Sequence, residues 1–232
     1  MSQYSYKIYP LSHLYCYQVY KFLENSNKAI VPQILVNDIT NKYDDELTFP
    51  LYYQFTNTNI TFTYYESVID IDSIYLPNYM FESLHSKNNI SEGDIIEFNL
   101  LKNSLPKGTK CTLQPHTSNF FDIQDYRNYL EKIFSEQYSS LSEESTIKIP
   151  YFDGFINLNI IKTEPESIIS IIDTDLTVHF EKALDYVEPQ SLKKKGIGLS
   201  FRLNNKLAQE FYNKTENEYK TNMENINTTK II

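Results

Sequence analysis

The pattern of apolar and polar positions over residues 4–120 reads as short strands separated by turns. Phe49 to Phe55, Thr61 to Tyr65, Ser67 to Ile71 and Glu97 to Leu101 are rich in β-branched and aromatic residues, and turns at Glu92-Gly93-Asp94 and Lys107-Gly108 close them off. The period changes to that of a helix in two places. After Pro32 come Ile34, Leu35 and Ile39, and after Pro77 come Met80, Phe81 and Leu84. Proline suits the first helical position, where its missing N–H leaves no bond unmade.

From Asp122 a longer helix is predicted, because Tyr126, Tyr129, Leu130, Ile133 and Phe134 recur at i, i+3, i+4, i+7 and i+8, with Asp122 or Asp125 as its cap. Strands then resume. Ile147 to Tyr151 and Phe155 to Ile161 flank a hairpin turn at Phe152-Asp153-Gly154, and the continuous apolar run Ile168 to Ile172 reads as a buried strand. The chain therefore divides into a mostly β unit over 1–120, an α+β unit over 121–189, and a Lys/Asn/Glu-rich linker or tail over 190–232 that is expected to be largely disordered. Within that tail only Leu203, Leu207 and Phe211 form a weakly amphipathic segment.

Composition supports a folded body, with 41% hydrophobic residues and 20 Tyr and 14 Phe in 232 residues. Charge narrows the choice of partner. Residues 1–189 carry 13 Lys and Arg against 26 Asp and Glu, net −13, whereas residues 190–232 carry 8 against 4, net +4. An acidic body argues against nucleic acid as the main partner, because such binding draws on Lys and Arg. No 18-residue apolar span occurs, so no direct membrane insertion is expected, and two cysteines, Cys16 and Cys111, point to a reducing compartment.

Candidate chemistry is thin. His13 and Cys16 have the spacing of two metal ligands, but a structural zinc site takes about four, and only Cys111 and His116 could complete it. Asp173-Thr174-Asp175 lacks the glycine of an aspartic-protease motif, and two Asp residues at a strand end more often stay solvated and ionised. Gly196-Ile197-Gly198 lacks the third glycine and the preceding strand of a nucleotide loop, and Lys193 to Lys195 read as solvated linker. Nothing calls for a cofactor or a catalytic centre.

Several separated blocks carry a resemblance. They are Lys28 to Pro32 (KAIVP), Phe49 to Asn57 (FPLYYQFTN), Tyr75 to Pro77 with Met80 and Leu84, Leu105 to Gly108 (LPKG) leading to Gln114-Pro115, Phe120 to Ile123 (FFDI), Leu130-Glu131, Thr163 to Pro165, Ile168 to Phe180, and Tyr186 to Pro189 (YVEP). In this order they resemble the N-terminal region of the ubiquitin fusion degradation protein 1 family over residues 6–189. The resemblance implies a double-psi β-barrel followed by a small α/β subdomain. It further implies a non-catalytic adaptor that binds ubiquitin and polyubiquitin chains, pairs with the nuclear protein localisation 4 homologue, and recruits ubiquitylated proteins to a valosin-containing-protein type AAA ATPase for extraction and degradation. Such an adaptor would work in the cytoplasm or nucleus and at the ER surface.

Adaptors of that ATPase carry a short element with an aromatic, two alternating glycines and a later Leu or Phe; Gly196, Gly198 and Phe201 fit it, or Leu203 with a longer gap. Lys194 stands where the aromatic belongs. Two departures stand out: Glu143-Glu144-Ser145 replaces a Gly-Asp turn, and the sequence ends at Ile232, short of the tail through which relatives hold their partner. The competing readings are a paralogue serving organelle protein import with the same ATPase system, favoured by a targeting extension, and a double-psi-barrel enzyme, favoured by convergent carboxylates in a cleft.

Overall fold

The computed structural model describes residues 2–43, 47–101, 105–152, 154–187 and 228–231. Six strands close into a barrel: β1 (Ser2–Pro10), β2 (Lys28–Pro32), β3 (Tyr52–Phe55), β4 (Thr61–Val68), β5 (Ser73–Leu76) and β6 (Ile95–Leu101), in the order β1-β5-β2-β4-β3-β6. β1 pairs parallel with β5 and antiparallel with β6, while β2 pairs parallel with β4. Parallel neighbours require crossovers, and these carry the first two helices. A short helix α1 (Tyr17–Tyr20) follows β1, α2 (Gln33–Tyr43) follows β2, and α3 (Asn78–Asn88) follows β5. Both proline-led helical segments thus form, with Leu35 and Ile39 of α2 and Met80, Phe81 and Leu84 of α3 buried. The double-psi barrel class expected for this half is the one the closed sheet presents.

Strand ends differ from the sequence reading. β3 starts at Tyr52, and the two strands expected between Thr61 and Ile71 are one, because β4 stays paired with β2 from Thr63 to Val68 across a register shift. Inside the barrel the aromatic rings of Tyr53, Phe55, Phe62 and Phe98 stack and meet edge-on, with centroids 4.8–6.3 Å apart. All four are fully buried.

The second unit is a five-stranded sheet, β13-β12-β7-β10-β9, with β7 (Lys110–Pro115), β9 (Thr146–Tyr151), β10 (Gly154–Glu164), β12 (Leu176–Phe180) and β13 (Thr228–Ile231). A two-stranded pair of β8 (Ser140–Ser142) and β11 (Ile168–Ser170) lies beside it. Helix α4 (Tyr126–Gln137) buries Leu130, Ile133 and Phe134 in a core shared with Leu113, Ile149, Leu158, Val178 and Phe180. Asp125 takes the cap position in the left-handed region, but its side chain accepts from Asn128 instead of capping the backbone. The hairpin turn forms where expected, with Tyr151 opposite Gly154. Gly108 is needed for close approach, since a Cβ there would stand 2.5 Å from Ile169 Cδ1. Because β7 pairs with β10 and β12, we draw the division between the units between Leu101 and Lys110, not after residue 120. Within the stretch read as tail, residues 228–231 form a strand on β12. No helix among the described residues is long and apolar enough to cross a membrane.

Candidate protein-interaction surface

Residues 11–25 lie over the barrel wall and sort their apolar side chains into two sets. Leu11, Leu14, Tyr20 and Leu23 turn inward onto Ile30 and form a small core of their own. Tyr15, Val19 and Phe22, spaced i, i+4 and i+7, turn outward and are 80%, 66% and 53% exposed. Tyr65 of β4 joins them, its ring 5.1 Å from that of Phe22 and nearly perpendicular to it. Ile69, just past the end of β4, is also exposed. Large apolar side chains fixed in water cost solvation that a partner would recover, about 1.5–3 kcal/mol for each one fully buried.

Polar bonds hold this segment to the barrel. The Tyr20 hydroxyl donates to the Glu66 carboxylate at 3.0 Å, and burial, reinforced by that bond, raises its pKa to about 12. Glu24 Oε2 accepts from the Asn78 N–H at 2.7 Å, placing a carboxylate at the N-terminus of α3, where the helix dipole favours it. Burial pushes the Glu24 carboxyl above its ordinary range, against the opposing pull of its bonds from Asn78 and Tyr17. The Tyr79 hydroxyl donates to the Ser26 carbonyl at 3.0 Å. The exposed Glu66, Asp70 and Asp72 follow on the same strand and turn, so the apolar stripe has acidic neighbours. A hydroxyl bond from Ser73 holds the Asp72 carboxyl below its ordinary value. Such a surface fits an apolar patch bordered by basic side chains.

The seam between the two units is built differently. Asn27 Nδ2 donates to the Ser140 carbonyl (3.2 Å) and to Ser140 Oγ (3.0 Å), and Asn27 Oδ1 accepts from the Ser139 N–H (3.1 Å). Thr61 Oγ1 lies 3.1 Å from Ser140 Oγ and 2.8 Å from Ser142 Oγ, and the Tyr52 hydroxyl bridges the Ser139 carbonyl and Ser170 Oγ. All of these bonds are buried. Asn27, Thr61, Ser140 and Ser142 also line a small cavity of about 50 Å³. This network fixes orientation and offers no nucleophile with a base beside it.

The residues singled out in the sequence do not converge. His13 stands 3.6 Å from Glu92 at the surface, Cys16 is half-buried in the segment over the barrel, Cys111 is buried in the second core, and His116 bonds Asn159 Oδ1 at 2.8 Å. Among the described residues no group of three or more His, Cys, Asp or Glu side chains is placed to hold a metal ion. Burial pushes the Cys111 thiol up to about 12, the opposite of what a thiolate nucleophile needs. Gly196, Gly198, Phe201 and Leu203 lie outside the described residues. The apolar stripe escaped sequence reading because the run Leu14 to Leu23 (LYCYQVYKFL) is apolar on several sides at once.

A closed barrel followed by an α/β unit defines a fold of the double-psi class, and its exposed apolar stripe is a candidate contact surface. Residues 107–183 match the family described as ubiquitin fusion degradation protein UFD1, N-terminal subdomain 2. The chain is 26% identical over 172 residues to the ubiquitin recognition factor in ER-associated degradation protein 1 of Homo sapiens, covering 72% of this chain and 53% of that protein. It is 28% identical over 174 residues to the ubiquitin fusion degradation protein 1 homolog of Dictyostelium discoideum (73% and 49%). With ubiquitin fusion degradation protein 1 of Saccharomyces cerevisiae it shares 30% over 127 residues (53% and 33%). The chain spans about half the length of the first two relatives. The resemblance to the N-terminal two-subdomain region of this family, read from the separated blocks, therefore holds over most of the chain.

Proposed function

We propose that this chain is a non-catalytic recognition module of the ubiquitin pathway, binding ubiquitin on tagged proteins and passing them to a valosin-containing-protein type AAA ATPase together with a nuclear protein localisation 4 homologue. The observation that carries this reading is its similarity, across 72% of its length, to a protein named for recognising ubiquitin in ER-associated degradation. The stripe of Tyr15, Val19, Phe22 and Tyr65 beside acidic Glu66, Asp70 and Asp72 gives the reading a contact surface. Contacts of this kind are modest singly and gain strength when several ubiquitins are engaged at once. The work is then affinity and geometry, carried out in the cytoplasm or nucleus and at the ER surface. The segment with Gly196, Gly198 and Phe201, or Leu203 as its final anchor, is the proposed ATPase contact.

An NMR titration of the whole chain with monoubiquitin and with a polyubiquitin chain tests this. Shifts that cluster at Val19, Phe22 and Tyr65, and a loss of about tenfold or more in affinity in Val19→Asp, are the expected result, since burying an unpaired carboxylate opposes binding. No shift with either ligand near 1 mM, where interactions worth about 4 kcal/mol register, overturns the reading.

A further inference from the structure

An open groove of about 650 Å³ lies between α3, the end of β1 with the residues that follow it, and the turn at residues 91–94. Buried Pro10 and Phe81 give it an apolar base. Its walls are tied together by hydrogen bonds. Asn78 Oδ1 accepts from the Ser12 N–H at 3.3 Å, which joins the residues after β1 to the start of α3. The turn is fixed on β1, because Gly93 donates its N–H to the Ile8 carbonyl (2.9 Å) and Ile8 donates to the Asp94 carbonyl (3.1 Å). Asp94 Oδ2 accepts from the Ser91 N–H at 2.7 Å and closes the turn on itself. Glu92 is thus carried on a braced turn, opposite the helix that carries Glu82 and His85.

The polar groups of this groove are mostly acceptors. Glu82 and Glu92 line it from two sides, and no Lys or Arg is among the described residues that do. His85 Nδ1 lies 2.7 Å from the Ile90 carbonyl, which can only accept, so the ring hydrogen is at Nδ1 and Nε2 of the neutral ring is left as an acceptor. The neighbouring Glu24 carboxylate, which Glu82 repels, adds to the negative potential. His13 Nδ1, 3.6 Å from Glu92 Oε2, is the group that a cationic ligand would displace. Among the described residues these side chains are not placed to hold a metal ion. A cation that brings several donors together with apolar atoms fits them better. A guanidinium offers five N–H groups in a planar fork on a methylene stem that can lie along apolar surface, whereas an ammonium is a compact point charge.

We propose that this groove is a docking site for an arginine side chain on an exposed segment of a partner protein, with the guanidinium between Glu82 and Glu92 and the stem over Pro10 and Phe81. Charge complementarity selects that partner. The groove is acidic on a body that carries 26 Asp and Glu against 13 Lys and Arg over residues 1–189, so a basic segment is drawn in and an acidic one is repelled. The apolar base and the two facing carboxylates then favour arginine over lysine, because the planar fork can bond both walls at once. The groove shares no residue with the apolar stripe on the barrel, and either site can fail without the other.

The test is an NMR titration of the full chain with an end-blocked peptide of glycine and serine around one central arginine, and with two versions in which lysine or citrulline replaces the arginine. Citrulline keeps the shape and removes the charge. The expected result is a dissociation constant of about 1 mM or tighter for the arginine peptide, with shifts at the Ser12, His85 and Glu92 amides. The lysine peptide should bind about fivefold more weakly, and the citrulline peptide should leave the spectrum unchanged. Glu82→Gln combined with Glu92→Gln should weaken the arginine peptide about tenfold or more. Both side chains are exposed, so the thermal midpoint should stay where it is. Val19→Asp, on the stripe, should leave arginine binding unaltered. Equal affinity for the arginine and citrulline peptides, no shift up to about 5 mM, binding retained by the doubly substituted chain, or an equal loss in Val19→Asp would each overturn the proposal.

Discussion

The interior of the barrel and the seam between the two units are both buried, and they are built from opposite chemistry. The barrel encloses stacked rings of Tyr53, Phe55, Phe62 and Phe98, whose burial is non-directional and adds up with area. The seam is a network of Asn27, Tyr52, Thr61, Ser139, Ser140, Ser142 and Ser170, where each bond formed replaces one lost to water. The net gain from such a network is small, but each of its bonds has a direction. Stability therefore resides inside the units and relative orientation resides between them. A protein that has to hold surfaces on two units in a set relation benefits from that division.

Three substitutions break or sharpen the contrast. Phe98→Ala opens a cavity where four rings meet and should cost about 3–5 kcal/mol, read as a lower urea midpoint. Asn27→Ala removes the side-chain partner of the Ser139 N–H and two of the bonds to Ser140, whose Oγ keeps Thr61, while leaving the barrel rings untouched. Its cost should be about 1–3 kcal/mol, and residual dipolar couplings should show the two units losing their common orientation. A loss as large as that of Phe98→Ala, with orientation preserved, would show the seam acting as an ordinary core. The smallest effect has the opposite sign. Glu144, with φ of 61°, lies in the left-handed region, and its carbonyl accepts from Lys87 Nζ of α3 at 2.6 Å. Glu144→Gly keeps that carbonyl and relieves the backbone, so it should stabilise by about 1 kcal/mol with unchanged denaturant slope.

The parts of the fold legible in the sequence are those set locally. Pro32 and Pro77 followed by apolar residues at helical spacing located α2 and α3, and the repeat from Tyr126 to Phe134 located α4. Strand ends were less legible because distant partners fix them: β4 runs on through Glu66 only because Ile30 of β2 pairs there. For the same reason Lys110 to Pro115 read as the close of the first unit, whereas β10 and β12 draw it into the second. Among the candidate contact residues, the outward set Tyr15, Val19 and Phe22 could not be told from the inward set, since β4, more than 40 residues on in sequence, supplies Tyr65. Asn27 and Ser140 are unremarkable polar residues until the fold brings them together across 113 positions. Glu144 lies in the Glu143-Glu144-Ser145 stretch that the sequence marks as a departure from the resemblance, and its φ of 61° is a backbone conformation that favours glycine.

The closure of the barrel through β1 and β6 bears on how the protein is made. β1 leaves the ribosome before the other strands of the barrel, and both of its neighbours, β5 and β6, come from residues 73–101. At about 5–20 residues per second, translation leaves β1 unpaired for roughly 5–20 seconds before its partners exist. Its alternating Tyr4, Tyr6 and Ile8 are exposed throughout that interval as an open sticky edge. Nascent chains on one crowded messenger would meet first through this strand, so the hazard in producing the barrel lies at β1.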